Sequence, residues 1–194
     1  MKTLSTEGIV LKRYNIGEAD KVVTLYSKHY GKISCIAKGV RRMISRKRGS
    51  LEIFSQVKIF ASIGKGMMVI TEVELVSSNT LLRSNLKKIA VAYQICELVD
   101  RLTPENHEQD DVFNLLVNSL DSLSKVEEKC LNSLLVDFSM ELLKLLGYWP
   151  RDKCIPRSFS PSSFIEDIIE RKLKSKKFMK SCLNNVEVEA KSIN

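Results

Sequence analysis

Short runs of apolar and β-branched residues, separated by turn residues, fill the first part of the chain. Five of these runs predict β-strands, at residues 6–14, 21–26, 33–37, 54–61 and 67–75. In the last run Glu72 and Glu74 alternate with less polar neighbours, which is typical of a half-buried strand. Five short strands, each close to its predecessor, favour a small closed barrel. A five-stranded Greek-key barrel of the OB type fits this count and length, and an SH3-like barrel would also fit.

After residue 80 the apolar positions recur with the period of a helix. This pattern predicts helices at residues 81–102, 112–123 and 126–146, and a last amphipathic helix at 161–179 that becomes strongly basic. Asp110 or Asp111 is expected to cap the second helix, and Gly147 is expected to end the third. The predicted fold class is therefore α+β: an N-terminal five-stranded OB-type β-barrel at residues 1–78, followed by an all-α helical domain at residues 79–194.

Basic and acidic residues are segregated along the chain, which has 194 residues and a net charge of +8. Residues 1–88 carry a net charge of +11, residues 97–141 carry −8 and residues 144–194 carry +5. A basic head, an acidic middle and a basic tail indicate a dipolar molecule with one side that faces polyanions.

The densest basic run covers residues 38–48 and contains no acidic residue. Its six basic members are Lys38, Arg41, Arg42, Arg46, Lys47 and Arg48. Clustered like charges repel each other and are costly to bury, so we expect this segment at the surface. Two interpretations stay open: a solvated loop, or a loop on a β scaffold that binds a polyanion.

A second basic run lies in the last predicted helix. Its members are Arg171, Lys172, Lys174, Lys176, Lys177 and Lys180. Cations in a last helical turn favourably oppose the helix dipole, but six in ten positions exceed that need. The four lysines between positions 172 and 177 are therefore a second candidate contact, to nucleic acid or to an acidic peptide. Single-stranded nucleic acid also needs stacking surfaces. The candidates are Tyr14, Tyr26 and Tyr30, for which a core or barrel-end position is the alternative.

The chain lacks the sequence signatures of catalysis. No nucleophile elbow, phosphate-binding P-loop or zinc-protease motif occurs. The two histidines, His29 in a hairpin turn and His107 in an interhelical loop, are interpreted as solvated surface groups. Asp110 and Asp111 offer carboxylates to a metal, but helix capping is the preferred interpretation. We therefore predict a protein that is not an enzyme.

The five cysteines are widely spaced and form no Cys-x-x-Cys or Cys/His cluster, so reduced thiols and no metal site are expected. The apolar runs are shorter than the ~20 residues that cross a bilayer. The first residues have no apolar core typical of a signal peptide. These features predict a cytoplasmic protein that does not contact a membrane.

The N-terminal part of the chain contains TEGIVLKRYNIGEADKVVTLY at 6–26, YGK at 30–32 and AKGVRR at 37–42, followed by Ser45 and Arg46. These stretches resemble the start of a RecO-type recombination mediator. A later stretch of the family is similar to LLKLLGYWP at 142–150 with Cys154 after it, and the family's closing helix is similar to KLKSKKF at 172–178.

This resemblance implies an OB fold followed by a helical domain. It implies a DNA-binding recombination mediator in recombinational DNA repair, which binds single- and double-stranded DNA and anneals complementary strands. Such a mediator helps to load recombinase on DNA coated with single-stranded DNA-binding protein. The implied partners are a RecR-type protein and the acidic C-terminal tail of single-stranded DNA-binding protein. The alternative is a protein-interaction adaptor that holds acidic partner tails without direct DNA binding.

The resemblance also assigns residues. The family's basic stretch matches Lys38, Arg41, Arg42 and Arg46, while Lys47 and Arg48 are added on charge alone. A pocket for the acidic tail, apolar with a cationic rim, is predicted from Leu142, Lys144, Leu146, Tyr148, Trp149 and Arg151. The same residues also fit an ordinary helix end packed on the core. Many members place four zinc-binding cysteines after the matched LGY-x-P stretch. Here only Cys154 stands in place, so we expect no cofactor and infer that the zinc module is lost.

Overall fold

A computed structural model describes residues 2–42, 47, 49–64, 66–152, 156 and 159–179. The chain divides into two compact units. The first comprises Met1–Asn79 and Thr103–Val117, and the second comprises Thr80–Leu102 and Asn118–Asn194. The domain division predicted from the sequence, 1–78 and 79–194, stays a prediction. The segment Thr103–Val117, which follows the first predicted helix in the sequence, belongs to the same compact unit as the barrel.

Five strands form a closed barrel in the first unit. They are β1 (Lys2–Ile16), β2 (Asp20–Ser27), β3 (Gly31–Ala37), β4 (Gln56–Ile63) and β5 (Met68–Ser77). Their order around the barrel is β1-β2-β3-β5-β4. All neighbours are antiparallel except β3 and β5, which run parallel. The predicted five strands and OB-type barrel are confirmed, and this order excludes the SH3-like alternative.

The barrel interior is filled by alternate apolar residues of each strand. The inward set includes Val23 and Leu25 of β2 and Ile33 and Cys35 of β3, all of which are buried. The intervening residues of β2 are buried as well, because Val22, Thr24 and Tyr26 have 2% or less of their surface exposed. A barrel strand has one face towards the interior and one towards the outside. The outer face of β2 is therefore covered too.

Residues 105–107 of the same compact unit lie against the start of β3. The Asn106 N–H donates to the Lys32 carbonyl at 2.9 Å, and Lys32 and Glu105 form a parallel bridge. Gly31 has φ +60°, and a Cβ built there would overlap the carbonyl of His107. Glycine is therefore needed at this position for two reasons: the backbone is left-handed, and residues 105–107 approach too closely for a side chain.

The helical elements are α1 (Thr80–Arg83), α2 (Leu86–Leu102), α3 (Asp110–Lys125), a 3-10 turn (Glu128–Cys130), α4 (Leu131–Leu145) and α5 (Pro161–Ile168). A further helical stretch occupies residues 174–179. Gly147, with φ +78°, follows α4 as predicted. Within the described residues, no helix is long and apolar enough to cross a membrane.

Three helix boundaries differ from the prediction. The first predicted helix is two helices, because the Asn85 side chain accepts the N–H groups of Lys87 and Lys88 and so caps a new helix. The prediction that Asp110 or Asp111 is a cap is wrong, since both lie inside the first turn of α3. The third predicted helix begins instead as the 3-10 turn.

The last predicted helix, 161–179, is also wrong as a single element. It is interrupted between α5 and residue 174, where Glu170 takes φ +52°. Glu97 of α2 supplies the reason. Its carboxylate accepts the N–H groups of Lys174 at 3.0 Å and Ser175 at 2.8 Å, which caps a second helical stretch from outside the segment.

Replacing Gly31 with Ala tests the contact between the barrel and residues 105–107. We expect the free energy of unfolding to fall by about 2–5 kcal/mol, since a left-handed Ala costs about 1–2 kcal/mol and overpacking about 1–3 kcal/mol. Gly17→Ala is the matched control, because Gly17 also has positive φ but no atom lies within 4 Å of its added Cβ. Urea denaturation measures both variants. Equal losses in the two would contradict the close approach.

Candidate nucleic-acid interface

The basic segment 38–48 belongs to the connection between β3 and β4, and the start of this connection is fixed to the barrel. Val40 is buried among the core residues. The Gly39 N–H donates to the Asp20 carboxylate at 2.7 Å, and the Arg41 N–H donates to the Ala19 carbonyl at 2.9 Å. The turn between β1 and β2 therefore holds the backbone on both sides of Val40.

The end of the connection is fixed as firmly. Leu51 is buried in the same core as Val40. The Phe54 N–H donates to the Val10 carbonyl at 2.9 Å, and the Val10 N–H donates to the Ser55 carbonyl at 3.0 Å. Arg13 of β1 forms an ion pair with Glu52. The connection is thus anchored in the barrel core at both of its ends.

The described cations of this segment differ in their surroundings. Lys38, Arg41 and Arg42 are exposed, and among the ion pairs of the described residues none involves these three. Lys47 is half-buried, and its ammonium donates to the Ile70 carbonyl at 3.0 Å. The predicted residues Arg46 and Arg48 lie outside the described residues. Three exposed cations therefore form no ion pair with any carboxylate of the described residues, although the Arg41 guanidinium donates to the Gly17 carbonyl at 3.3 Å.

These cations lie at one end of the barrel. Lys21 pairs with Ala37 and Ile16 pairs with Asp20, so the β1–β2 turn and the end of β3 are neighbours. Tyr14 lies near the same end of β1 and is 54% exposed. Proteins that bind single-stranded nucleic acid combine exposed aromatic rings with exposed cations, and this end of the barrel carries both.

The other two candidate tyrosines for stacking differ from Tyr14 in their position or exposure. Tyr30 is 42% exposed, but it lies in the β2–β3 turn at the opposite end of the barrel. The prediction that Tyr26 can stack on a base is wrong, because Tyr26 is completely buried on the outer face of β2. Burial, reinforced by the charge of Asp110, raises the pKa of the Tyr26 hydroxyl to about 12. Oligonucleotides often bind OB folds on the face of strands 2 and 3 and on adjoining loops. Here the outer face of β2 is buried, so the adjoining loops are the part of this surface that stays open to an oligonucleotide.

The second basic run follows the interruption between α5 and the helical stretch at residues 174–179. The Glu166 carboxylate accepts the Leu173 N–H at 3.0 Å and the Lys176 ammonium at 3.1 Å. Burial alone would raise the pKa of Glu166, but these hydrogen bonds and the charges of Lys176 and Lys172 outweigh it and lower the pKa. Leu173, which is buried, lies between two exposed lysines. The segment is therefore held at its centre while its cations point outwards.

The helix dipole does not explain these lysines. Lys174 and Lys176 lie in the first turn of the helical stretch, where positive charge is unfavourable. Lys176 is paired with Glu166, while Lys172, Lys174 and Lys177 are exposed. Local helix stability therefore gives no reason for this cluster of cations.

The predicted peptide pocket is only partly at the surface. Leu142 is completely buried, and the Trp149 ring packs against Phe159 and Phe164 at centroid distances of 4.5 and 5.8 Å. These two residues belong to the core, as the alternative interpretation proposed, so their assignment to a partner pocket is corrected. Lys144 and Leu146 are half-buried, and Tyr148 and Arg151 are exposed. Cys154 lies outside the described residues.

Sequence reasoning missed Asp20 as a determinant of this interface. Asp20 reads as one more polar residue after a turn, and its partner Gly39 is 19 residues away. A residue that fixes a loop by a long-range hydrogen bond leaves no local pattern, so only the folded backbone identifies it.

Two family models match the chain in succession. The model described as "Recombination protein O N terminal" matches residues 1–79, which include all five strands, and "Recombination protein O C terminal" matches residues 83–155. Together they cover the barrel and most of the helices. The chain belongs to the RecO family.

Curated relatives agree with this assignment. The chain is 34% identical over 150 residues to a DNA repair protein RecO of Pelotomaculum thermopropionicum, covering 77% of the chain and 57% of the relative. It is 36% identical over 158 residues to a DNA repair protein RecO of Rubrobacter xylanophilus, covering 79% of the chain and 62% of the relative. The matched region thus spans about three fifths of these RecO relatives.

Replacing Asp20 with Ala tests the anchor of the basic segment. A hydrogen bond to a charged group contributes about 1.5–3 kcal/mol. We therefore expect local opening, and trypsin cleavage within residues 38–48, to become at least about tenfold faster, since 1.4 kcal/mol corresponds to a factor of ten. Glu18→Ala, an exposed acid in the adjoining turn, removes the same charge without the bond and should leave the cleavage rate unchanged. Similar rates in the two variants would remove Asp20 from the anchor.

Proposed function

We propose that this RecO-family chain binds DNA through the loop end of its barrel and acts in recombinational DNA repair. The observation that carries the proposal is the arrangement of Lys38, Arg41 and Arg42. All three are exposed and lie on a backbone that Asp20 and the β1–β2 turn hold in place. Cations that are fixed before binding lose little freedom when they meet phosphates, which favours affinity.

The contacts at this end suit single-stranded DNA without choice of sequence. Lys and Arg side chains contact phosphates and release counterions, and this interaction carries no base information. Tyr14 offers a ring on which any base can stack, an interaction worth about 1–3 kcal/mol per base. The two contacts together favour an extended strand over a rigid duplex at this place.

The exposed lysines of the second unit are proposed as a separate phosphate contact. Complementary strands repel each other through their phosphates, and a protein with two basic surfaces can neutralise both strands while they pair. This supports binding of single- and double-stranded DNA and annealing of complementary strands. Loading of recombinase on DNA coated with single-stranded DNA-binding protein is the further role that we propose from the family.

Two protein partners are part of the proposal: a RecR-type protein and the acidic C-terminal tail of single-stranded DNA-binding protein. For the tail, exposed Tyr148 and Arg151 offer an aromatic ring and a cation close together in sequence. The matched region spans about three fifths of the length of these relatives, so both partners are part of our proposal for this chain. An adaptor that binds acidic tails without DNA is the competing function, and a DNA-binding measurement separates the two.

The triple variant Lys38→Ala, Arg41→Ala, Arg42→Ala tests the barrel interface. We expect weaker binding of a labelled single-stranded oligonucleotide. The slope of log affinity against log salt should fall by about 2, since each single-strand phosphate contact contributes about 0.7. Fluorescence anisotropy over a salt series measures both quantities.

The matched control removes three lysines elsewhere, at positions 58, 125 and 129, and so makes the same change in net charge. Two of these lysines form exposed ion pairs, with Asp121 and Glu127, whose loss has little effect on stability. The control should keep most of the wild-type slope. Equal slopes in the two triple variants would contradict the barrel interface. A wild-type chain that binds an acidic peptide but no oligonucleotide would favour the adaptor.

Lys172→Ala, Lys174→Ala, Lys177→Ala tests the second contact. If this surface holds its own phosphates, we expect a further fall in the salt slope of about 2 that adds to the first triple variant. Strand annealing of complementary oligonucleotides should slow in both triple variants and most in the combination. A combined variant no weaker than the first triple variant would exclude the second surface.

A further inference from the structure

The β2–β3 turn lies against the connection between α2 and α3, at the end of the barrel opposite the basic segment. The close approach of Gly31 to His107 and the hydrogen bond from Asn106 to Lys32 hold the two segments together. The Ser27 hydroxyl donates to the Gly31 carbonyl at 2.9 Å and accepts the Tyr30 N–H at 3.2 Å, which closes the turn around His29. The backbone therefore fixes where His29 is presented.

Two carboxylates meet His29 at this place. Its Nδ1 atom lies 3.6 Å from a carboxylate oxygen of Glu108. One ligand atom from each of His29, Glu108 and Asp110 lies within 4.8 Å of the others. In a tetrahedral site with bonds of about 2.1 Å, ligand atoms are about 3.4 Å apart. The His29–Glu108 pair already has this spacing, and a small rotation of the exposed Asp110 side chain closes the remainder.

The charge at this place favours a cation. Asp110 is in the first turn of α3 and Glu108 lies two residues before its start, near the helix end where the dipole stabilises negative charge. Among the ion pairs of the described residues, His29 is the partner of Glu108, and none includes Asp110. Carboxylate oxygens and an imidazole nitrogen are donor atoms that divalent first-row metal ions accept.

A buried neighbour supports the same conclusion. The Tyr26 hydroxyl is fully buried and has no hydrogen-bond partner among the described residues, and the charge of Asp110 adds to the rise in its pKa. Carboxylates that bind metals are commonly oriented by a hydrogen-bond donor behind them. A buried hydroxyl such as that of Tyr26 would find an acceptor in a carboxylate that turns towards it on binding a metal.

We propose that His29, Glu108 and Asp110 bind a divalent first-row transition-metal ion such as Zn²⁺, which fastens the β2–β3 turn to the start of α3. One imidazole nitrogen and two carboxylate oxygens suit zinc or manganese better than magnesium, which prefers an all-oxygen shell. This set contains no cysteine, so it is unrelated to the four-cysteine arrangement of other RecO proteins. It also lies away from the proposed DNA interface, so each can fail without the other.

The chain contains two histidines, and this makes a direct test possible. Nitrogen-correlated NMR of the full chain resolves the two imidazoles, and each signal is assigned by His29→Ala and His107→Ala. On titration with Zn²⁺ we expect the Nδ1 signal of His29 to shift and saturate at one equivalent while the His107 signal stays in place. Magnesium at the same concentration should have no effect on either signal.

Two isosteric variants, Glu108→Gln and Asp110→Asn, test the carboxylates. Each should weaken zinc binding at His29 at least about tenfold, while His107→Ala should bind as the wild type does. Zinc should also raise the melting temperature of the wild type and of His107→Ala, but not that of His29→Ala.

An unmoved His29 signal would overturn the proposal, as would a shift that both isosteric variants retain. Zinc bound only by thiols would produce the first of these results. Metal binding by thiols alone would also give a thiolate-to-cobalt charge-transfer absorption band when Co²⁺ replaces Zn²⁺.

Discussion

A barrel strand that is buried on both faces cannot offer side chains to a ligand, and β2 is such a strand. Its outer residues Val22, Thr24 and Tyr26 are as inaccessible as the inward ones. Residues 105–107 lie against the start of the neighbouring strand β3, where they approach Gly31 so closely that a Cβ would not fit. Because strand 2 of this OB barrel is closed, its outer face offers no side chain to a ligand, and the two ends of the barrel carry the candidate sites. One end carries the cations and Tyr14, and the other carries His29 with two acids.

Electrostatics explains why the basic end needs anchors. Cations that repel each other would spread a free loop into solvent, and each would lose entropy on meeting a phosphate. Buried Val40 and Leu51, with the hydrogen bonds to Asp20 and Ala19, hold the two ends of the segment on the barrel. The core therefore bears the constraint, and the exposed cations remain available for an external anion.

The sequence predicted the features that rest on local pattern. Period-2 alternation and turn residues identified all five strands and the barrel, and the run at 38–48 marked itself by charge. The features that it could not predict rest on partners distant in sequence. Tyr26 alternates like any outward residue, and only the tertiary packing around β2 buries it. The interruption after α5 depends on Glu97, more than 70 residues away, which caps a new helical stretch at Ser175.

The central claim, that DNA binds at the loop end and not on the strand face, can be tested by hydrogen–deuterium exchange of the chain with and without single-stranded DNA. The account predicts slower exchange in peptides that cover residues 17–20 and 38–42, with the amides of β2 and β3 unchanged. Protection confined to β2 and β3, or absent from both loop peptides at saturating DNA, would contradict it.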